Sequence, residues 1–310
     1  LDVARRSLKS LIDVNYGDHE IVFVDNASTD GSDVELLNVL SVSGVRYRYI
    51  KNVTNQGYTG GMNLGFKHVA SDYVAFVAND VFVDKDSVSL ALKYFDEYTA
   101  CVGGYLLTPD NRIYAAGNWL DSLMNVGGIC AGVPPSECKT LEVPHDASYV
   151  DGAYMICKTK ILKGIGEPFV TEAFAYLDDN LLGIVLWNKG FRVKYVPVYF
   201  GIHVAHQTFR TVGKISYLSL RARLTRLFAL KHCNSILSGA LRMKMFMAHR
   251  AVVSEAEKLA KIIKARWGLL RLEAVPHIHY RDELLMATVP YYRTLKSKLR
   301  RHFFVTHKSL

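Results

Sequence analysis

The 310-residue chain has only five cysteines, and none of them stands in a C-x-x-C pair. Without that spacing, and with an odd count, the sequence predicts reduced cysteines rather than a disulfide framework or a zinc site. No stretch approaches the roughly 18 uninterrupted apolar residues of a spanning helix, which argues against an integral membrane protein. No signal peptide is visible in a chain that begins at Leu1 within a helical pattern. Proline (8) and glycine (22) are too few for a low-complexity or collagen-like chain. With 50% hydrophobic and 22% charged residues, disorder is excluded and a packed core is expected.

What is present is unevenly charged. Residues 211–310 carry nine Lys and eleven Arg against five acidic residues, a net +15, which leaves residues 1–210 at −6. An acidic body joined to a basic tail predicts two units, 1–210 and 211–310, with separate roles. The basic tail carries no recognised nucleic-acid-binding motif, so nucleic acid is not expected as a partner.

Apolar residues recur at helical spacing through Leu1, Ala4, Leu8, Leu11 and Ile12, and the run Ile21–Val24 then reads as a strand ending at Asp25. Helix 33–40, strand 45–50, helix 60–69 and strand 73–78 follow, and this alternation predicts a parallel sheet. Ligands in such sheets sit beyond the carboxyl ends of the strands, where this chain places Asp25 and Asp80. The glycines of 101–149 read as hairpins and loops. Strand 150–157, helix 177–189 and one or two strands over 191–200 come next. Beyond about Thr211 only helical patterns remain. Leu220, Leu224, Leu227 and Phe228 form one apolar stripe with Arg221, Arg223 and Arg226 off it; Val252, Ala256, Ala260 and Ile263 form a second, flanked by Lys258, Lys261 and Lys264.

Five clusters could carry chemistry. Asp25 to Ser32 is a strand end followed by turn residues, where Asp25 could bind a base or ribose, or the loop could simply cap the next helix through Asp30 or Ser32. Asn55 to Gly65 is glycine-rich and opens a helix, so its amides could face a phosphate; no Gly-Lys-Ser/Thr follows, so it is not a Walker loop. Ala78-Asn79-Asp80 ends a buried strand and offers a hard-cation ligand, or a plain turn. Asp178-Asp179 opens a helix, either as a dipole-favoured cap or as a general base. His203 and His206, with Gln207-Thr208, stand near the end of the last strand as metal ligands or as structural histidines.

In this order and at these separations, the clusters resemble glycosyltransferase family 2, in particular its rhamnosyltransferase-like members, from about Leu1 to Thr208. Val24-Asp25-Asn26-Ala27-Ser28-Thr29-Asp30-Gly31-Ser32 is similar to the family's V-D-N-x-S-x-D-G-S. Asn55, Gly57, Gly60, Gly61, Asn63 and Gly65 match N-x-G-x-x-G-G-x-N-x-G, and Ala78-Asn79-Asp80 stands at the metal-binding D-x-D variant. Asp151-Gly152-Ala153 resembles the turn lining the acceptor side. Gly166, Phe169 and Phe174 stand before the acid pair, Gly190-Phe191 to Val196-Pro197 resembles the family's last strand, and His203 to Thr208 its H-x-x-x-x-S/T end. Two departures stand out. The resemblance starts in the helix after the family's opening strand, so that strand is missing. The family's E-D-x-D is Asp178-Asp179-Asn180-Leu181 here.

The resemblance implies an α/β fold of the GT-A type, a Rossmann-like, mostly parallel sheet flanked by helices, with a C-terminal helical region. It implies an inverting glycosyltransferase with Asp179 as general base, Asp178 as supporting acid, and Mg²⁺ or Mn²⁺ held by Asp80 with His203. Donor contacts would come from Asp25, Asn26, Ser28, Asn55, Gly57, Gly60, Gly61, Asn63 and Asn79, and acceptor contacts from Asp151, Gly152 and Ala153. The implied partners are a nucleotide-diphospho-sugar donor and a glycan or lipid-linked acceptor. Residues 211–310 would touch anionic membrane or pack on the body, and the expected location is cytoplasmic, at the inner face of the cell membrane. The alternatives are a non-catalytic sugar- or partner-binding remnant and a sugar nucleotidyltransferase.

Overall fold

The computed structural model describes residues 1–122, 124–204, 215–231 and 250–277. Helix α1 (Asp2–Ile12) lies beside α2 (Ser32–Ser41), because Leu8 meets Leu36 and Leu40 in one apolar cluster with Ile21 and Phe23. Strands β1 (Glu20–Asp25) and β2 (Arg46–Lys51) pair in parallel, with Asp25 opposite Lys51, as expected across an α-helical crossover. Helix α3 (Gly57–Phe66) follows β2.

The central sheet is β3 (Tyr73–Val77), β10 (Tyr154–Lys158), β5 (Thr99–Leu107), β11 (Arg192–His203) and β4 (Val81–Val83), in that order. The short helix α4 (Ser87–Ala91) follows β4. Strands β6 (Ile113–Ala116) and β9 (His145–Asp146) join the flanks, on β5 and β11, and β7 (Asn118–Leu120) and β8 (Val126–Gly128) form a separate hairpin. The α/β architecture is the expected one, but the pairing is mixed. Strand β5 runs parallel with β11, as β1 does with β2, but β3–β10, β10–β5 and β11–β4 are antiparallel.

The 101–149 segment corrects the sequence reading. Gly103-Gly104 lies within a nine-residue central strand, not a loop. A Cβ at Gly104 would come within 2.1 Å of the Val198 carbonyl oxygen and 2.2 Å of the Phe200 ring, so glycine admits β11 at close range. The cysteines are a second correction. Cys101 on β5 and Cys157 on β10 are directly paired across the ladder and joined as a disulfide, and Cys130–Cys138 closes a loop after β8. Strand register brought Cys101 and Cys157 together, which sequence spacing does not reveal. Cys233 lies outside the described residues.

Helices α5 (Thr159–Gly164) and α6 (Asp179–Asn188) precede β11. Along α6, Asn180 through Leu186 are all buried, the mark of a helix covered on every side. The cover is α7 (Ile215–Ala229) and α8 (Arg250–Trp267). Leu224 and Leu227 from one, and Val252, Ala256, Ala260 and Ile263 from the other, share a core with Leu181, Ile184 and Val185. Both predicted stripes therefore pack inward, while Lys258, Lys261 and Lys264 stay exposed. Two short strands, β12 (Leu230–Lys231) and β13 (Leu270–Arg271), pair after them. Among the described residues no helix is long and apolar enough to cross a membrane.

Candidate active site

Antiparallel pairing assembles the site. Because β11 runs against β4, its last residue, His203, pairs with Val81 and stands beside Asp80. His203 Nε2 and Asp80 Oδ1 are 3.3 Å apart, with side chains 10% and 11% exposed. The His203 ring packs edge-on against Tyr114 from β6, centroids 4.4 Å apart. Because β10 runs against β3, the segment before it, Asp151-Gly152-Ala153, lands at the end of β3, where Ala78 N donates to Ala153 O at 2.8 Å.

The start of α6 meets the same segment. Gly152 N donates to Asp179 Oδ2 at 3.0 Å, and Tyr58 of α3 donates its hydroxyl to the Gly152 carbonyl. Asp179 Oδ1 accepts from the Asn180 backbone at 2.7 Å and from its side-chain amide at 3.0 Å.

Three half-buried carboxyls thus lie close enough to influence one another. Burial raises Asp179 well above the usual carboxylate range, and the charges of Asp178 and Asp151 add to the shift. Burial likewise lifts Asp178 to about 6, with Asp151 adding to it and Arg226 opposing it. Asp151 is raised by burial, against the pull of His203. The phenol of Tyr114 is raised most by Asp151, then by burial, Asp179 and Asp80; that of Tyr58 is raised by burial and the same acids. Perturbed titratable groups gathered in this way make the cluster a candidate functional site.

The other predicted residues sit differently. Asp25 is 2% exposed and accepts from Ser28 N at 2.9 Å, with Lys51 Nζ 3.7 Å from its Oδ2. Ser28 and Asn79 are exposed at their strand ends. Asn26 is a loop staple: it donates to Asn55 Oδ1 and Gly57 O, and it accepts from Asn52 Nδ2 and Gln56 N.

In the glycine-rich segment two first-turn amides already have acceptors: Gly57 N donates to Asn55 Oδ1 and Thr59 N to Phe174 O. Gly57 has φ +69°, and a Cβ there would lie 2.3 Å from the Phe174 carbonyl; a Cβ at Gly60 would meet Gln56. At these glycines the 171–174 segment and Gln56 come close to the backbone. Gly61 faces Asn26, 3.4 Å from where its Cβ would stand. Asn63 is buried and spends its amide on Phe169 and Thr171. His206, Gln207 and Thr208 lie outside the described residues.

Sequence reasoning missed Tyr58, Tyr114, Asn180 and Arg226. Tyrosines scattered along a chain carry no spacing signal, and Arg226 looked like one more solvated charge. In the fold it is 2% exposed and donates to Asn180 Oδ1 and Met124 O.

An acid cluster at the carboxyl end of β3, in a mixed α/β sheet covered by helices, defines the GT-A class of fold. Solved structures that share that fold include the following two. One is the mannosyltransferase PcManGT from Pyrobaculum calidifontis in complex with GDP-Man and Mn²⁺: TM-score 0.54, 16% identity, covering 96% of this chain and 79% of that one. The other is GalNAc-T7 with UDP, GalNAc and Mn²⁺: TM-score 0.60, 13% identity, 95% of this chain and 56% of that one. Residues 1–120 match the model of Glycosyl transferase family 2. The glycosyltransferase GlyA of Streptococcus pneumoniae is 35% identical over 103 residues, 33% of this chain and 14% of GlyA. The chain spans about a fifth or less of the curated relatives it matches.

Proposed function

We propose that the chain transfers a sugar from a nucleotide-diphospho-sugar to an acceptor hydroxyl with inversion, using Asp179 as general base. The observation that carries this reading is the convergence of Asp178, Asp179 and Asp151 on the segment that also meets the Asp80–His203 pair. The fold neighbours bound to GDP-Man or UDP support the donor class.

The acceptor oxygen attacks the anomeric carbon as the bond to the leaving diphosphate breaks. Its proton passes to Asp179, and such a base contributes about 10²–10⁴-fold. A base works best with a pKa near the working pH, and burial moves Asp179 in that direction. Asn180 and Gly152 hold both of its oxygens in place. Asp178 adds negative charge that keeps its neighbour basic.

Asp80 and His203 would hold Mg²⁺ or Mn²⁺. A hard carboxylate and an imidazole meeting at 3.3 Å fit such an ion, and His203 Nδ1 is buried without a partner among the described residues. Those residues include no third His, Cys, Asp or Glu to complete a cluster, so substrate phosphate and water would fill the shell. The ion would neutralise charge on the departing diphosphate. Asp25, Ser28 and Asn79 stand at strand ends where a base and ribose would be read.

The acceptor is a hydroxyl of a glycan or lipid-linked glycan, and the exposed Lys258, Lys261 and Lys264 of α8 suit an anionic surface. The test is hydrolysis or transfer of UDP-, GDP- and dTDP-sugars with Mn²⁺. Turnover of one donor class is expected. A folded chain that turns over none and binds no nucleoside diphosphate contradicts the reading.

A further inference from the structure

The loop leading to the acid pair is strained. Phe174 (φ 65°) and Tyr176 (φ 68°) both adopt left-handed backbone conformations that non-glycine residues disfavour. Ala175 N bonds Ala173 O at 2.7 Å, which makes Phe174 the centre of a tight γ-turn. Such strain persists only where the surroundings over-determine it.

Helix α7 holds both ends of this loop through two arginines. Arg221 donates to the Ala173 carbonyl and pairs with Glu255 at 3.2 Å. Five residues on, Arg226 donates through Nη1 to Asn180 Oδ1 at 2.8 Å and through Nη2 to Met124 O at 3.0 Å.

The Arg226 contact fixes more than the loop. A guanidinium can only donate, so Asn180 must turn its carbonyl oxygen toward Arg226. Its amide nitrogen is then directed at Asp179 Oδ1, at 3.0 Å, and at Tyr176 O, at 3.3 Å. With the opposite amide orientation, the nitrogen would face the arginine and the oxygen would face a carboxylate. Arg226 is buried on a helix whose Ala222, Leu224 and Leu227 join the apolar core, so an apolar residue there would carry a lower desolvation cost. Its presence therefore calls for a role other than packing.

We propose that Arg226 is a positioning residue for the catalytic base: through Asn180 it sets the orientation in which Asp179 meets the acceptor hydroxyl. The proposal rests on the reading of Asp179 as that base. It makes α7 a working part of the active site and not only a cover for α6.

The test compares Arg226→Met, Asn180→Ala and the double variant in the full chain, with folding checked by thermal melting. In each single variant kcat for turnover of the accepted nucleotide-sugar is expected to fall about ten- to a hundredfold, with the donor KM changed less than about twofold. The acid limb of the rate profile moves to higher pH, since Asp179 loses a facing cation or a donor while Asp178, Asp151, Tyr149, Tyr58 and Tyr114 remain around it. The double variant is expected to be no worse than the poorer single, because both break one chain of bonds. Losses that multiply, or an unmoved pH profile, overturn the proposal. If Arg226→Met fails to fold, Asn180→Ala decides alone: wild-type kcat in that folded variant overturns the proposal. Asp179→Asn separates the two levels. Full turnover there removes the base itself, whereas an inactive Asp179→Asn beside active Arg226→Met and Asn180→Ala removes only the positioning role.

Discussion

The Gly152 amide donates to Asp179 Oδ2 at 3.0 Å, joining the segment before β10 to the first turn of α6. Through this one bond, residues 27 positions apart in sequence form the floor of a shared acid cluster. Antiparallel pairing of β10 with β3 and of β11 with β4 then brings Asp80 and His203 to the same rim. The chemistry follows from the company these groups keep.

Removing the carboxylate of the Asp80–His203 pair tests the metal assignment. Asp80→Ala is expected to weaken Mn²⁺-dependent binding of UDP or GDP by at least about tenfold, by analogy with losses at metal-supporting positions. Isothermal titration calorimetry with and without Mn²⁺ measures this. EDTA is expected to reduce the wild type to the level of the variant, and nucleotide affinity indifferent to both changes would contradict the assignment.

With Asp179 as the proposed base, transfer would require it ionised, and the rate is expected to fall as pH drops through its raised pKa. Asp178→Asn removes a negative neighbour that helps to hold that pKa up. The acid limb of kcat/KM should therefore move to lower pH in Asp178→Asn, measured as donor turnover between about pH 5 and 8.

The same burial has a cost in stability. A carboxyl with a raised pKa binds its proton more tightly in the folded state than in the unfolded one. Its favourable contribution is complete at low pH and is lost as pH rises through the folded value. For Asp178 that window runs from the usual 3.8 to about 6. Above pH 7, Asp178→Asn is thus expected to be more stable than wild type by up to about 3 kcal/mol, at roughly 1.4 kcal/mol per pKa unit. Thermal unfolding at pH 7.5 and pH 4 tests this, and the gain should vanish at the lower pH.

The exposed lysines of α8 carry a separate expectation. Each Lys near an anionic bilayer adds about 1 kcal/mol of attraction. Changing Lys258, Lys261 and Lys264 to Glu is expected to reduce flotation with phosphatidylserine vesicles at low salt, without altering donor turnover. Flotation equal to wild type would leave this face an ordinary solvated one.

The sequence carried the strand ends well, because Asp25 and Asp80 interrupt apolar runs and so mark where a sheet edge begins. Apolar periodicity likewise revealed the stripes of α7 and α8. Contacts that depend on strand register stayed hidden. Gly103-Gly104 looked like a turn until β11 was seen to cross it closely, and Cys101 and Cys157 become neighbours only through an antiparallel pair. Arg226 falls off the apolar stripe yet points inward, since a helix covered on several sides has no solvent face for it. Asn63, Gly57 and Gly60 matched a motif, but the 169–174 segment absorbs their bonding and space.

The most direct test of the account is the release of nucleoside diphosphate from the preferred nucleotide-sugar by Asp179→Asn, followed at saturating donor and Mn²⁺. The account predicts a loss of about 100-fold or more with nucleotide binding retained; turnover equal to that of the unaltered chain would contradict it.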